Sequence, residues 1–187
     1  MKNLPILENG YVKLIPPILN PEEIKKYQGW LNEPKIIEGI GQLEKLTEKE
    51  IFELLNGWKE EPLKMHWFVS LRESGLLVGD LNLDIVPDIT KEYPELSDLE
   101  YFHVQNDAEI KIMISGNYQN QGIGKLATRA CINYGFNQKK LDAIYASIYE
   151  NNISSKKLFE KLGFENVGSL REKRTGRDEV IVRLMKR

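Results

Sequence analysis

The sequence predicts an α/β fold, and three patterns along the chain lead to that prediction. Apolar residues alternate over residues 108–114, as in a strand with one buried face. An apolar stripe at helical spacing follows over residues 123–134, which is what a helix packed on a sheet requires. Two further strand patterns at 65–71 and 76–86 flank the turn residues 73–75 and predict a hairpin.

The remaining elements follow from their end signals. A first strand is predicted at 10–16, and Asn20 with Pro21 then begins a helix at 21–32. A capping box opens a second helix at 47–58. An insertion at 88–109 and then the strand–helix pair follow the hairpin. We then predict a strand after Asp142, a helix between Asn152 and Gly163, and two last strands at 167–172 and 176–184.

Length and composition are those of one soluble domain spanning residues 1–187, with 41% apolar and 29% charged residues. No segment approaches the ~20 apolar residues that span a bilayer, and the start has no signal-peptide pattern. We therefore expect a cytoplasmic protein without a membrane partner. Cys131 cannot form an internal disulfide and lies on the apolar stripe, so it is predicted to be a core residue. The net charge of −2 and the absence of interleaved aromatic and basic residues predict no direct nucleic-acid contact.

A glycine-containing loop, residues 118–125, joins the alternating strand to its helix. At such a junction the free N–H groups and the positive end of the helix dipole favour an anion, above all a phosphate. The loop therefore predicts a phosphorylated cofactor.

The spacing of the glycines and their neighbours in the loop distinguishes between the known phosphate-binding patterns. The G-x-x-x-x-G-K-[ST] pattern fails because position 119 is Gln and Leu126 follows Lys125. The dinucleotide pattern G-x-G-x-x-[GA] is present, but seven residues separate it from its strand, and Asp142 begins rather than ends the next strand. A plain turn is the third alternative. What remains is Gln119-x-x-Gly122-x-Gly124.

A second motif covers residues 152–164 and has helix signals at both ends. Asn152 or Ser154 is placed to accept hydrogen bonds from the first N–H groups, and Gly163 suits the left-handed residue after the last turn. Phe164 is placed to close the C-terminal hydrophobic contact.

In this order, and about thirty residues apart, the two motifs resemble those of the GCN5-related N-acetyltransferase (GNAT) superfamily. The strands at 10–16, 167–172 and 176–184 resemble its RimJ/RimL branch. The resemblance implies a mixed, mainly antiparallel sheet of six to seven strands, flanked by about four helices and opened by an acetyl-CoA cleft between splayed strands.

The resemblance also implies direct acetyl transfer from the acetyl-CoA thioester to an amine, with no metal. The pyrophosphate would rest on the loop amides, the pantetheine arm would run along the preceding strand, and a backbone N–H near Ile114 would polarise the thioester carbonyl. The implied cofactor contacts are Ile112, Met113, Ile114, Gln119, Asn120, Gln121, Gly122, Ile123, Gly124, Lys125 and Asn152.

The catalytic positions depart from the family pattern. Phe159 stands where many members have a proton-donating Tyr, and Ser147 stands where RimI-type members have Glu. Glu109 is a candidate base acting through water, or else a surface residue paired with Lys111 on the same strand face. The lesser candidates for proton donor are Ser155 and Tyr118.

These departures favour an acceptor amine of low pKa. At pH 7 an α-amine is roughly 10–20% neutral, whereas a lysine is about 0.04% neutral. The expected acceptor is therefore a protein N-terminus of the ribosomal-protein type. The alternatives are a small amine (a polyamine or an antibiotic) or a non-catalytic acyl-CoA-binding module.

Other features leave alternatives open. The acidic insertion at 88–109 is either a solvated loop or a surface that attracts a cationic amine. Trp30 and Trp58 mark either a core or an interface, and a homodimer is compatible with the sequence.

Overall fold

The computed structural model describes residues 4–42, 44–92 and 106–186. In these ranges the chain forms eight strands and six helices. The strands are β1 (Leu7–Asn9), β2 (Val12–Ile15), β3 (Lys64–Leu71), β4 (Leu77–Val86), β5 (Asp107–Ile114), β6 (Ala143–Tyr149), β7 (Glu165–Arg171) and β8 (Asp178–Met185). The helices are α1 (Pro21–Leu31), α2 (Pro34–Ile40), α3 (Glu48–Glu60), α4 (Ile89–Glu92), α5 (Ile123–Asn137) and α6 (Ile153–Lys161).

The α/β prediction is confirmed, but the sheet is larger than expected. Its eight strands follow the order β1-β2-β3-β4-β5-β6-β8-β7. The extra strand is β1, which lies before the predicted opening strand at 10–16 and forms a hairpin with it, with Leu7 paired to Leu14 and Asn9 to Val12. Two short helices, α2 and α4, raise the helix number above the predicted four.

Sheet pairing is mixed and mainly antiparallel, as predicted. The pairs β1/β2, β2/β3, β6/β8 and β7/β8 are antiparallel, whereas β5 and β6 run parallel. The register of that parallel pair covers Asp107–Glu109 of β5 opposite Ala143–Tyr145 of β6. By contrast, all seven residues of β6 pair with β8.

Helix starts follow the predicted capping chemistry. The Asn20 side chain accepts from Glu23 N at 2.8 Å, and Pro21 is the first residue of α1. Thr47 and Glu50 form a reciprocal capping box at the start of α3. Each cap satisfies N–H groups that the helix itself leaves without a partner.

The chain packs into two compact units, each made of two segments. The first comprises Met1–Asn82 and Ile112–Ala130, and the second comprises Leu83–Lys111 and Cys131–Arg187. Trp30 and Trp58 pack against the core of the first unit, which answers the open question about them. That core consists of Ile24, Tyr27, Leu31, Ile36, Ile51, Leu55, Phe68, Leu77 and Met113.

A smaller core of the second unit consists of Ile89, Ala143, Tyr145 and Ile181. Cys131 is buried, and burial raises the pKa of its thiol, so the prediction of a core residue rather than a nucleophile is confirmed. Most of the acidic insertion lies outside the described residues. No helix in the described ranges has the length and apolar composition needed to cross a bilayer.

Candidate functional site

The glycine loop connects β5 to α5 within the first unit. A 3₁₀ turn at Gly116–Tyr118 follows β5, and Leu126 N–H donates to Gly122 O at 3.1 Å as the first bond of the helix. The N–H groups of the residues before Leu126 therefore have no acceptor inside the helix. Gly122 has φ +80°, a conformation that a side chain would strain. The predicted helix N-terminus is present at this place in the chain, and its use as an anion site stays a prediction.

Two glutamine side chains hold this loop from within. Gln119 Nε2 donates to Ile114 O at 2.8 Å, and Gln121 Nε2 donates to Asn117 O at 3.0 Å. Both bonds occupy carbonyl oxygens and leave the loop amides to other partners. The sequence predicted these glutamines as ligand contacts, and the structure adds an internal role for their side chains.

The end of β5 is hydrogen-bonded to β4 through alternate residues. Ser115 N–H donates to Val78 O at 2.9 Å, toward β4. Because backbone groups alternate in direction along a strand, the polar groups of Ile112 and Ile114 point away from β4. At Gly79, a Cβ would lie 2.2 Å from Met113 O, so this close approach of β4 and β5 requires glycine.

Glu33 contacts the start of the loop and was missed by the sequence analysis. Its Oε2 accepts from Gly116 N–H at 3.1 Å, and its Oε1 lies 3.4 Å from Ser115 Oγ. Glu33 stands at the N-cap position of α2, immediately before Pro34. The Glu33–Ser115 contact spans 82 residues of chain, and no local pattern signals it.

Asn152 belongs to the second unit and caps α6. Its side chain accepts from Ser155 N at 3.1 Å, so Asn152, rather than Ser154, is the cap. Capping uses the Oδ1 acceptor, whereas a hydrogen bond to a pantetheine carbonyl would use the Nδ2 donor. The two roles of this amide are therefore compatible.

The other end of α6 has the predicted C-terminal signals. Gly163 N donates to Glu160 O at 2.9 Å and Phe164 N donates to Phe159 O at 3.1 Å, which together form a Schellman motif. The Phe159 and Phe164 rings meet edge to face, with centroids 4.9 Å apart. Phe159 is buried, so this aromatic serves packing.

Glu109 is buried on β5, with 5% exposure. Its Oε2 lies 2.7 Å from Lys111 Nζ, and the same ammonium lies 3.6 Å from Asp84 Oδ2. The predicted pairing with Lys111 is therefore found, but Glu109 is not a surface residue. Of the lesser candidates, Tyr118 is half-buried in the 3₁₀ turn of the first unit, and Ser155 is half-buried on α6 of the second.

Ser147 is joined to a carboxylate that the sequence analysis did not single out. Ser147 Oγ donates to Glu179 Oε2 at 2.5 Å, from β6 to the neighbouring β8. Burial raises the pKa of Glu179, and the Glu172 and Glu109 carboxylates add to the rise, while Ser147 and Lys111 oppose it. The Glu179 carboxylate on β8 therefore lies next to Ser147, the position at which RimI-type members have a glutamate.

This mixed sheet, with a glycine loop at a helix N-terminus, defines an α/β protein suited to a phosphorylated ligand. The chain belongs to the family described as acetyltransferase (GNAT) domain, whose model matches residues 14–165. It is accordingly an acetyl-CoA-dependent N-acetyltransferase, and the predicted superfamily is confirmed.

Several relatives are named acetyltransferases. The N-acetyltransferase 9-like protein of Caenorhabditis briggsae is 30% identical over 153 residues, covering 79% of this chain and 72% of the relative. The α/β-tubulin-N-acetyltransferase 9 of Mus musculus is 28% identical over 157 residues, covering 78% and 59%. The spermidine N(1)-acetyltransferase of Escherichia coli K12 is 33% identical over 72 residues, covering 38% and 39%.

A solved structure shares the fold. Spermidine N-acetyltransferase from Vibrio cholerae, in complex with CoA and spermine, has a TM-score of 0.73 to this chain at 19% identity. The match covers 95% of this chain and 96% of that one.

Proposed function

We propose that the chain moves an acetyl group from acetyl-CoA directly to a protein N-terminal α-amine, in the manner of the RimJ/RimL-like branch. The observation that carries the proposal is the glycine loop, whose glutamine side chains occupy carbonyl oxygens while the first amides of α5 have no acceptor within the helix. A pyrophosphate on Gln119–Lys125 would meet N–H donors and the positive end of the helix dipole.

The strand before the loop supplies the groups that acyl transfer needs. The pantetheine arm would pair with the backbone of Ile112–Ile114, whose outward groups are those of Ile112 and Ile114. The Ile114 N–H would donate to the thioester oxygen and stabilise the negative charge that develops as the amine attacks. The C–N bond forms, the C–S bond breaks, and CoA leaves as the thiolate. Asn152 remains a proposed pantetheine contact on the resemblance alone.

Proton removal from the amine is assigned to Glu109, relayed by water. Its carboxylate is buried and held 2.7 Å from Lys111 Nζ, and this fixed position supports the role, because a proton acceptor is most effective when it is held in place. An α-amine needs little such help at pH 7, since a tenth or more of it is neutral already. Ser155 and Tyr118 stay the secondary proposals for returning a proton to the thiolate.

A small polyamine is the second candidate acceptor. The named activity of the Escherichia coli relative favours it, since the match includes part of this chain at 33% identity. A non-catalytic acyl-CoA-binding module is disfavoured by relatives that carry the name acetyltransferase over most of the chain. Cytoplasmic location, a single domain and a homodimer stay predictions.

Thiol release from acetyl-CoA with a panel of acceptors tests the proposal. The panel contains peptides with free N-termini, the same peptides Nα-acetylated but with one lysine, and spermidine. We expect turnover with free N-termini and little with the blocked peptides. Turnover with spermidine and with none of the peptides would show that the acceptor is a polyamine and not a protein N-terminus. At a concentration of 100 times its Kd, bound acetyl-CoA should stabilise the chain by about 2.7 kcal/mol and raise its Tm. A rise of that size without turnover on any acceptor would indicate a binding module.

A further inference from the structure

The tip of the β1–β2 hairpin, residues 9–11, is joined to the glycine loop and its helix by two hydrogen bonds. Tyr11 OH donates to Gln121 O at 2.5 Å, and Asn9 Nδ2 donates to Leu126 O at 3.0 Å. Between them, a Cβ at Gly10 would lie 3.5 Å from the Leu126 side chain. We propose that this hairpin tip is a brace that holds the loop in its phosphate-binding conformation, with Tyr11 as the positioning residue.

The Tyr11 hydrogen bond sets the direction of one peptide plane. In a trans peptide the C=O and the following N–H point to opposite sides. Because Tyr11 holds the Gln121 carbonyl, the Gly122 N–H is directed away from the hairpin. Gly122 tolerates both signs of φ, so this plane would otherwise turn over at little cost. A turned plane would present a carbonyl oxygen, instead of an N–H, to an anion.

The brace is itself anchored to the sheet. Tyr11 O accepts from Arg72 N–H at 2.8 Å, and Asn9 pairs with Val12 across the hairpin. The Asn9 bond to Leu126 then fastens the tip to the first turn of α5. The loop is therefore held from outside by a rigid strand pair as well as from within by its glutamines, and such preorganisation lowers the ordering cost of binding.

Tyr11 is also suited to a clean test, because its side chain is 46% exposed. Removing its hydroxyl leaves no buried cavity, so an effect on ligand binding is separable from an effect on folding. The inference rests on the proposed use of the loop for the acetyl-CoA pyrophosphate. Tyr134→Phe is the matched control, since it removes a phenol hydroxyl from a residue of α5 that is not part of the loop.

The experiment measures the Kd of CoA by calorimetry for the parent chain, Tyr11→Phe, Asn9→Ala and Tyr134→Phe. Turnover with S-acetylpantetheine, which lacks the pyrophosphate, is measured in parallel. We expect Tyr11→Phe to raise the CoA Kd about two- to tenfold, the range of one net hydrogen bond. Asn9→Ala should act in the same direction. Turnover with S-acetylpantetheine, Tm and the Tyr134→Phe control should stay at the parent values.

An unchanged CoA Kd in both hairpin variants would overturn the brace while leaving the proposed function intact. Equal losses with CoA and S-acetylpantetheine, or a fall in Tm that accounts for the loss, would show a general structural role and also overturn it. A parent chain that binds no CoA would instead remove the proposed function, and the brace with it.

Discussion

The Tyr27 hydroxyl on α1 donates a hydrogen bond of 2.9 Å to Asp80 Oδ2 on β4, inside the core of the first unit. The same oxygen lies 3.0 Å from His66 Nε2, and the His66 ring lies 4.4 Å from that of Trp58 on α3. Burial, and then the Asp80 charge, raise the pKa of Tyr27 well above its usual value, which keeps the phenol neutral as a donor. A polar cluster thus ties two helices to the sheet.

Tyr27→Phe is expected to destabilise the chain by about 2 kcal/mol, because a buried carboxylate loses one of its donors. For a chain of this size that corresponds to a fall in Tm of roughly 4–8 °C. Thermal unfolding of the variant beside Tyr118→Phe checks it, since the control removes a hydroxyl that is only half-buried. Equal Tm values for the two variants would contradict the prediction.

Glu109→Gln is expected to lower kcat about 100-fold and to leave the CoA Kd unchanged. The amide keeps the shape of the side chain but accepts no proton. Asp84→Asn is the control, because it removes a carboxylate from beside the same Lys111 ammonium without touching the proposed base. Steady-state kinetics across pH check it, and an unaltered kcat and pH profile would exclude Glu109 as the base. Glu179→Gln would then be the next variant to measure.

Asp107→Asn is expected to flatten the pH dependence of stability. Burial, with the Asp142 charge adding to it, raises the pKa of Asp107 from 3.8 to about 7, against the opposing effects of the Ala143 amide and Arg183. The unfolded chain loses this proton near pH 4. The folded chain keeps it until about pH 7, so the free energy of unfolding falls as pH rises between these values.

Three pH units at 1.36 kcal/mol each set that fall at no more than about 4 kcal/mol. Asparagine stays neutral at every pH, so this fall in the free energy of unfolding should be absent in the variant. Urea unfolding at several pH values measures the slope, with exposed Asp178→Asn as control. A slope unchanged by the Asp107 substitution would show that Asp107 ionises normally in the folded chain.

Gly79→Ala and Gly57→Ala are expected to act in opposite directions. The new Cβ at Gly79 would collide with the backbone of Met113 and lie 3.0 Å from Ile114 Cα, forcing β4 and β5 apart at a cost of about 3 kcal/mol or more. At Gly57, inside α3, a Cβ meets nothing within 4 Å and should stabilise the helix by about 0.5–1 kcal/mol. Urea unfolding of both variants checks the signs, and CoA binding should weaken only in the first.

Features with short-range signals were predictable from the sequence. The strand before the loop, α5, the caps of α1 and α3 and the glycine after α6 all depend on residues a few positions apart. Helix α2 was not predicted because its seven residues are too few to show the helical repeat of apolar positions. Strand β1 was not predicted because it has only three residues, too few to show an alternation.

Contacts between distant segments could not be predicted. Glu33 reaches Gly116 across 83 residues, Tyr11 reaches Gln121 across 110, and Ser147 reaches Glu179 across 32. Each depends on which strands and helices become neighbours. That order is set by packing of the whole fold rather than by local pattern, so a single sequence carries little trace of it.

The burial of Phe159 against Phe164 has a consequence for engineering. A tyrosine at this buried site would add a hydroxyl where few polar partners are at hand, and a buried polar group without a partner destabilises the fold. Restoring the residue common in the family would therefore not restore its acid. Phe159 acts as a hydrophobic anchor at the end of the helix, so a redesign for faster thiolate release would have to change another residue.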